Sequence, residues 1–123
     1  MGDLMEFLKP DFCFEDQRGS LVQLCRQGWK QIIVTTTKKG VSRGGHYHKH
    51  NNEAFYIIDG EIEIKLSKEG KGENVTVKSG DFFILKPYAV HSFYFPKDTT
   101  MIALYDKGVE EGEGIKDIYP AEV

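Results

Sequence analysis

The sequence predicts an all-β fold, an antiparallel sandwich or barrel, and three observations favour it. Roughly nine or ten short apolar or β-branched stretches recur about every ten residues, with turn residues between them. No stretch has the apolar period of an amphipathic helix of any length. The segment 31–37 is dense in isoleucine, valine and threonine, whose branched side chains suit a pleated, half-buried surface.

The N-terminal quarter predicts a short arm followed by a hairpin. Residues 1–10 have no clear period, so they fit either one helical turn or an arm packed on a sheet. Strands are expected over 12–14 and 20–25, and the polar segment 15–19 forms the turn between them.

The segment 59–60, Asp-Gly, lies between the apolar strands 54–58 and 61–66 and predicts a two-residue β-hairpin. In that register Glu53 pairs with Leu66 and points to the apolar, inward face. An ionised carboxylate buried there without a counter-charge is costly, so Glu53 is expected to face a cation or other partner.

The rest of the chain predicts further short strands. Residues 68–73 read as a solvated hairpin loop, and the strand 82–85 is apolar on both faces, so it is expected to be central or covered. Another strand is expected over 101–105. Residues 107–123 form a tail rich in glycine and glutamate.

Composition indicates one ordinary globular domain, 1–123, and limits its partners. The 123 residues carry a formal net charge of −3, and no lysine and arginine cluster suggests nucleic acid or an anionic membrane as a partner. No apolar run approaches the roughly 18 residues of a membrane span, and the first residues lack a secretory pattern, so a cytoplasmic location is expected. Cys13 and Cys25 are expected to be reduced core residues.

Three of the four histidines cluster between Gly40 and Gly60. His46 and His48 are two residues apart, so on an extended strand both imidazoles project from one face and can chelate one ion. Glu53 would add an oxygen ligand from the neighbouring strand, whereas His50 lies where the chain must turn and is expected to be exposed.

The spacing from Gly40 to Gly60 resembles the first motif of the cupins, and a looser pattern from Gly80 to His91 resembles their second motif. The resemblance implies a jelly-roll (double-stranded β-helix) barrel with a divalent transition metal, such as Zn, Mn, Fe or Ni, in its mouth. The ligands that it implies are His46, His48, Glu53 and His91.

Two phrases, 16–21 and 43–49, resemble the small cupins that act on nucleotide-linked 4-keto sugars. Among these, the 3,4-ketoisomerases work without metal and have a glutamine about where Glu53 lies here. The phrase 46–53 is more similar to the metal-containing C-terminal cupin of capsular-polysaccharide enzymes, which epimerises a UDP-linked 4-keto sugar.

The leading hypothesis is a metal-assisted epimerase or isomerase of a 4-keto nucleotide sugar in polysaccharide biosynthesis. A metal would polarise the ketone and stabilise the enediolate formed on deprotonation. The sequence does not identify the general acid or base. Tyr47, Tyr94 and Tyr105 are candidates, and Arg43 and Arg18 are candidate contacts to a diphosphate.

Two other functions use the same ligand set. A cupin can be an iron-dependent dioxygenase, or a non-catalytic module that binds a sugar or another small molecule. A homodimer is expected whichever function applies, because Tyr56, Ile58 and the apolar arm offer surface that a monomer would expose.

Overall fold

A computed structural model describes residues 4–112 and 115–121, and all the regular elements in these ranges are β-strands. The strands, numbered in chain order, are β1 (Met5–Phe7), β2 (Phe12–Asp16), β3 (Gly19–Gln23), β4 (Gln31–Thr37), β5 (Ser42–Tyr47), β6 (Glu53–Asp59), β7 (Glu61–Lys68), β8 (Lys71–Lys78), β9 (Phe82–Leu85), β10 (Val90–Tyr94), β11 (Thr99–Tyr105), β12 (Glu110–Gly112), β13 (Ile115–Lys116) and β14 (Tyr119–Pro120).

Ten of these strands form two five-stranded sheets in which all the neighbours are antiparallel. The first sheet has the order β1-β9-β6-β11-β4, and the second has the order β14-β5-β10-β7-β8. The pairs β2-β3 and β12-β13 form separate two-stranded ribbons. This is the expected jelly-roll barrel. Within the described ranges, no helix is long and apolar enough to cross a membrane.

The main core lies between the two sheets and takes alternate residues from each. It includes Phe55 and Phe83 from the first sheet and Ile64 and Phe93 from the second, with Phe55 stacked on Phe83 at 5.3 Å between ring centroids. A second cluster around Phe82 covers the outer face of the first sheet. Strand β9 is therefore covered on both faces, as its apolar sequence predicts.

The prediction of a β-hairpin around 59–60 is wrong. Strand β6 pairs with β9 and β11, whereas β7 pairs with β10 and β8, so the two strands lie in opposite sheets. Gly60, at φ +121°, is the corner where the chain crosses from one sheet to the other, and a Cβ there would lie 2.7 Å from the Cα of Thr99. The corner needs the same left-handed glycine as a hairpin turn, and for that reason the local sequence does not separate the two.

Two other hairpins do form. Glu69 and Gly70, both at positive φ, make a two-residue turn between β7 and β8, within the segment 68–73 that reads as a hairpin loop. The ribbon β2-β3 forms as expected near the N-terminus. Its large apolar side chains are exposed, unlike those of a strand packed on the core: they are Phe12, Phe14, Leu21 and Val22.

Both ends of the described chain are built into the sheets. The arm forms a strand, not a helical turn, because β1 pairs with β9 and buries Leu4 and Met5 in the core. In the segment that reads as a tail, β14 pairs with β5 and Asp117 is fully buried. Residues 119–120 are therefore part of the barrel, and Asp117 lies beside the histidine cluster.

Candidate metal centre

The histidine cluster of the structure consists of His46, His48 and His91, which come from neighbouring strands of the second sheet. His46 lies on β5, His48 follows that strand directly, and His91 lies on β10 as the cross-strand partner of His46. The register shifts between His91 and Ser92, a bulge of the kind that redirects side chains beside functional sites. One ring nitrogen from each histidine lies within 4.8 Å of the others.

Close approach of β5 and β10 depends on Gly44, which has a φ of +105°. A Cβ at this position would lie 2.7 Å from the carbonyl oxygen of His91. A larger residue would therefore push apart the two strands that carry His46 and His91.

Glu53 reaches the same point from the first sheet. Its Oε1 lies 3.0 Å from Nε2 of His48 and 3.5 Å from Nε2 of His91, and the side chains of all three are at most 4% exposed. The side chain points inward, as the sequence predicts, although the predicted partner strand is wrong. The parity of a strand fixes which residues share a face, whichever strand lies beside it.

Protonation differs among these groups. Burial, together with the neighbouring His91, lowers the pKa of His46 to about 4, and burial also lowers the pKa of His91. Burial opposes the charged form of His48 as well, but Glu53 and a backbone carbonyl outweigh it and raise the pKa of His48. Burial would raise the pKa of Glu53, yet its contacts with the imidazoles lower it overall, so Glu53 is a carboxylate at neutral pH.

A small cavity of about 150 Å³ opens beside the cluster. Its polar lining includes His46, Glu53 and His91, and apolar side chains such as Phe55 and Phe93 also line it. Such a mixture of an apolar wall with a few converging polar groups is typical of small-molecule sites.

Tyr105 and Arg43 are the two further predicted residues that line this cavity. Burial, together with the neighbouring Glu53 carboxylate, raises the pKa of Tyr105 far above its ordinary value. The Nε of Arg43 donates to the Oγ1 of Thr37 at 2.8 Å, which anchors the guanidinium at the rim.

The other predicted residues lie elsewhere. Tyr47 points away from the cavity and stacks between Tyr88 and Tyr119, and Tyr94 is exposed on the outer face of the second sheet. Arg18 pairs with Asp16 at the tip of the β2-β3 ribbon and does not line the cavity. His50 is exposed, as expected.

Two residues beside the cluster carry no sequence signal that singles them out. Asp117 accepts hydrogen bonds from the backbone between 49 and 51, and its carbonyl oxygen contacts Nδ1 of His48. Asn51 is 1% exposed and is bonded to Gly108 and Asp117 through its side chain. Both partners are distant in sequence, so no local spacing could indicate these contacts.

The side chains present fit a divalent transition metal. Three imidazoles that converge with one buried carboxylate form a mixed nitrogen and oxygen set, which suits Zn, Mn, Fe or Ni and contains no sulfur. The residues that could hold such an ion are His46, His48, Glu53 and His91.

A jelly-roll barrel with a histidine cluster between its sheets defines the class of protein: the fold is that of the cupins. Comparison of the sequence with protein families then identifies the group within this class. The chain belongs to the polysaccharide biosynthesis C-terminal domain family, whose model matches residues 14–93. The matched segment contains the three histidines and Glu53, whereas Tyr105 and Asp117 lie beyond it.

Known proteins share the fold at low sequence identity. The structure of the TDP-quinovose 3,4-ketoisomerase WlaRB from Campylobacter jejuni is similar with a TM-score of 0.80 and 16% identity, over 94% of this chain and 92% of that one. The capsular polysaccharide assembling protein CapF from Staphylococcus aureus is similar with a TM-score of 0.68 and 20% identity, over 96% of this chain and 35% of that one.

Among curated proteins, a 3-hydroxyanthranilate 3,4-dioxygenase from Burkholderia cenocepacia is 30% identical over 71% of this chain. The match covers 50% of the dioxygenase. The chain therefore spans about half the length of the curated relatives that it matches.

Proposed function

We propose that this protein is a metal-dependent epimerase or isomerase of a 4-keto nucleotide sugar, acting in polysaccharide biosynthesis. The observation that carries the proposal is the convergence of His46, His48, His91 and Glu53, three of which, His46, His91 and Glu53, line one small cavity. The family of the chain and its likeness to WlaRB, a TDP-quinovose 3,4-ketoisomerase, support the class of substrate.

Cavity size limits which part of such a substrate enters. Pockets that enclose a drug-sized ligand measure about 300–1,000 Å³. A cavity of about 150 Å³ can hold only part of a nucleotide sugar, and the reacting sugar is the part that must reach the cluster. The nucleoside diphosphate would then lie across the rim, where the guanidinium of Arg43 can meet phosphate oxygens with two parallel donors.

The proposed ligands are the three histidines and Glu53. A divalent ion bound there would polarise the ketone oxygen as a Lewis acid. The protein's own residues orient and enclose the reacting carbon. Phe55 and Phe93 give the cavity an apolar lining that excludes water, and Glu53 links the histidines of the second sheet to the first sheet.

We assign to Tyr105 a hydroxyl that donates a hydrogen bond to the sugar oxygen on which negative charge develops. Its raised pKa keeps the hydroxyl protonated at neutral pH, so it stabilises that charge as a hydrogen-bond donor and does not act as a phenolate base. Of the three candidate tyrosines, Tyr105 alone lines the cavity.

Solvent deuterium exchange tests this function directly. We expect the metal-loaded protein to exchange hydrogen at C3 or C5 of one member of a panel of dTDP-, UDP- and GDP-linked 4-keto sugars. Tyr105→Phe should slow the exchange by about 10²- to 10³-fold, the usual loss when one hydrogen-bond donor to a developing oxyanion is removed. Tyr94→Phe, on the outer face, is the matched control and should leave the rate unchanged. Absence of exchange with the whole panel would rule out the proposal.

A dioxygenase is the second candidate, because the curated proteins that this chain matches over about half of their length are 3-hydroxyanthranilate 3,4-dioxygenases. On that alternative the protein loaded with Fe(II) would consume O₂ when an aromatic substrate such as 3-hydroxyanthranilate is added. Oxygen uptake in the absence of sugar exchange would favour the dioxygenase over the epimerase.

We also propose that the protein is a cytoplasmic homodimer. The ribbon β2-β3 and the outer side of edge strand β4 expose large apolar side chains, among them Leu21, Ile32 and Val34, and Ile58 is exposed as expected. The N-terminal arm is not part of this surface, because Leu4 and Met5 are buried in the chain's own core. Light scattering during size-exclusion chromatography should give the mass of two 14.0 kDa chains; the mass of one chain would contradict the dimer.

A further inference from the structure

The carboxylate of Asp117 is fully buried and organises the turn that follows His48. Its Oδ1 accepts the backbone N–H of Lys49 at 2.8 Å. Its Oδ2 accepts the backbone N–H groups of His50 and Asn51, at 3.0 and 2.9 Å, and the side-chain amide of Asn51 at 2.8 Å. Four donors therefore converge on one carboxylate, three of them on Oδ2.

The backbone of the same residue contacts the proposed metal ligand. The carbonyl oxygen of Asp117 lies at hydrogen-bond distance from Nδ1 of His48, and a carbonyl can only accept, so Nδ1 carries the proton. The opposite nitrogen, Nε2, is then the one directed at Glu53, 3.0 Å away. Histidines that bind metal usually need this second bond, which fixes the ring orientation and the free nitrogen.

Pairing of β14 with β5 holds the rest of this segment in place. Pro120 lies opposite His46, and the N–H of Ala121 donates to the carbonyl of Gly45 at 2.9 Å. Tyr119 stacks on Tyr47, with 5.4 Å between ring centroids. The position of the Asp117 carbonyl relative to His48 is thus set on one side by β14 and on the other by the buried carboxylate.

We propose that Asp117 is the positioning residue of the site: its carboxylate fixes the turn 49–51, and its carbonyl fixes the ring of His48 with Nε2 turned to the metal position. This inference rests on the proposed function, since it assumes that the cluster binds a metal. Asp117 lies outside the segment matched by the family model, and it would act on the site through His48 without touching the metal or the sugar.

The test uses the full chain with Zn²⁺ alone as the probe. Asp117→Ala removes all four hydrogen bonds to the carboxylate but keeps the carbonyl. We expect its zinc affinity, measured by competition with a chromophoric chelator, to fall by about 10- to 100-fold, the usual loss when such an outer contact is removed. Asp117→Asn keeps one acceptor oxygen but loses the negative charge and the other acceptor oxygen. Its zinc affinity should therefore lie between those of the wild-type protein and Asp117→Ala.

Asp106→Ala is the matched control. Asp106 accepts two hydrogen bonds from Asn52, at 3.0 and 2.9 Å, on the same loop, but does not contact His48. The zinc affinity of the Asp106→Ala protein should stay at the wild-type value. Equal losses in the Asp106 and Asp117 variants would show that general order in the loop matters, and would overturn the specific role of Asp117.

A second measurement separates this inference from the proposed function. The Nδ1–H proton of His48, buried in its hydrogen bond, should give a resolved, slowly exchanging NMR resonance in the metal-free protein. It should exchange faster in Asp117→Ala and remain as it is in Asp106→Ala. If Asp117→Ala does not fold, Asp117→Asn takes its place in both measurements. Wild-type affinity and an unchanged resonance in the folded variant would overturn the inference, whereas a wild-type protein that binds no zinc but shows the expected resonances would overturn the metal-dependent function only.

Discussion

At the scale of single residues, the three histidines of one cluster have different proton affinities because they have different partners. The rings of His46 and His91 pack edge to face, with 4.5 Å between ring centroids, and burial keeps both neutral. His48 lies between the Glu53 carboxylate and the Asp117 carbonyl, two acceptors that favour the imidazolium over the neutral ring. The cluster therefore offers two neutral nitrogen ligands before any metal arrives.

The lowered pKa of His46 predicts how the stability of the metal-free protein depends on pH. The unfolded chain takes up a proton at His46 near pH 6.5, but the folded protein does so only near pH 4. The free energy of unfolding should therefore fall as the pH drops from 6.5 to 4. The slope from His46 should be smaller than the about 1.4 kcal/mol per pH unit of a full proton, since the ring is partly solvated.

Urea unfolding of the chelator-treated protein across this pH range measures the effect. His48 does not add to the slope in this window, because a raised pKa gives stability that is present below pH 6.5 and is lost as the pH rises through the folded pKa. His46→Gln is the control and should make the curve shallower between pH 6.5 and 4, and the slope that remains belongs to other groups with lowered pKa values, such as His91. An equal slope in both proteins would contradict the assignment to His46.

At the scale of elements, the sequence predicts which residues of a strand face inward better than it predicts which strands pair. Glu53 points to the core in the expected hairpin and in the observed fold, since alternation along β6 is the same in both. The expected pairing of β6 with β7 is wrong, because choosing between a hairpin and a corner depends on Thr99, a residue far along the chain that closes over Gly60. Local patterns carry no information about such a contact.

The corner at Gly60 gives a prediction at this scale. Gly60→Ala and Gly80→Ala both place a side chain at positive φ, which costs about 1 kcal/mol. Gly60→Ala should cost about 1–3 kcal/mol more, because its Cβ would overlap the backbone of Thr99, whereas a Cβ at Gly80 meets nothing within 4 Å.

Thermal or urea unfolding of the two variants gives the comparison. Gly80→Ala serves as the control for the backbone cost alone. Equal losses of stability in both would mean that the corner tolerates a side chain and that the approach of Thr99 is not a constraint.

At the scale of the whole molecule, the candidate metal centre joins the two sheets. His46 and His91 belong to the second sheet, and Glu53 and Tyr105 belong to the first. An ion held by both sets of residues would oppose separation of the sheets, and its binding energy would add to the stability of the fold.

We therefore expect zinc to stabilise the protein globally. At a free zinc concentration one hundred times the dissociation constant, the free energy of unfolding should rise by about 2.7 kcal/mol. Glu53→Gln should bind zinc more weakly and lose most of this gain at the same concentration. Glu63→Gln, an exposed residue of β7, should keep it.

Thermal melts with and without zinc measure the gain, and hydrogen exchange shows where it acts. Protection should increase in both β6 and β10 if the ion joins the sheets. Unchanged metal content and melting temperature in Glu53→Gln would refute its role as a ligand.

For the site, as for the fold, the sequence does not predict contacts between residues that are far apart in the chain. His46, His48, Glu53 and His91 follow from spacing and from a family motif, and the structure brings them together. Asp117 follows from neither, because its function depends on folding a distant segment against β5, and an aspartate in a stretch rich in glycine and glutamate has no distinguishing pattern.

The distance between Asp117 and the turn that it holds also has a consequence during synthesis of the chain. Asn51 and Asp117 are 66 positions apart. At about 5–20 residues per second, the ribosome needs roughly 1 to 5 s after His91, the last of the four proposed ligands, to make the aspartate. During that interval the nascent chain has all four proposed ligands but not the segment that orients them, so it becomes competent to take up metal only after that segment has been made.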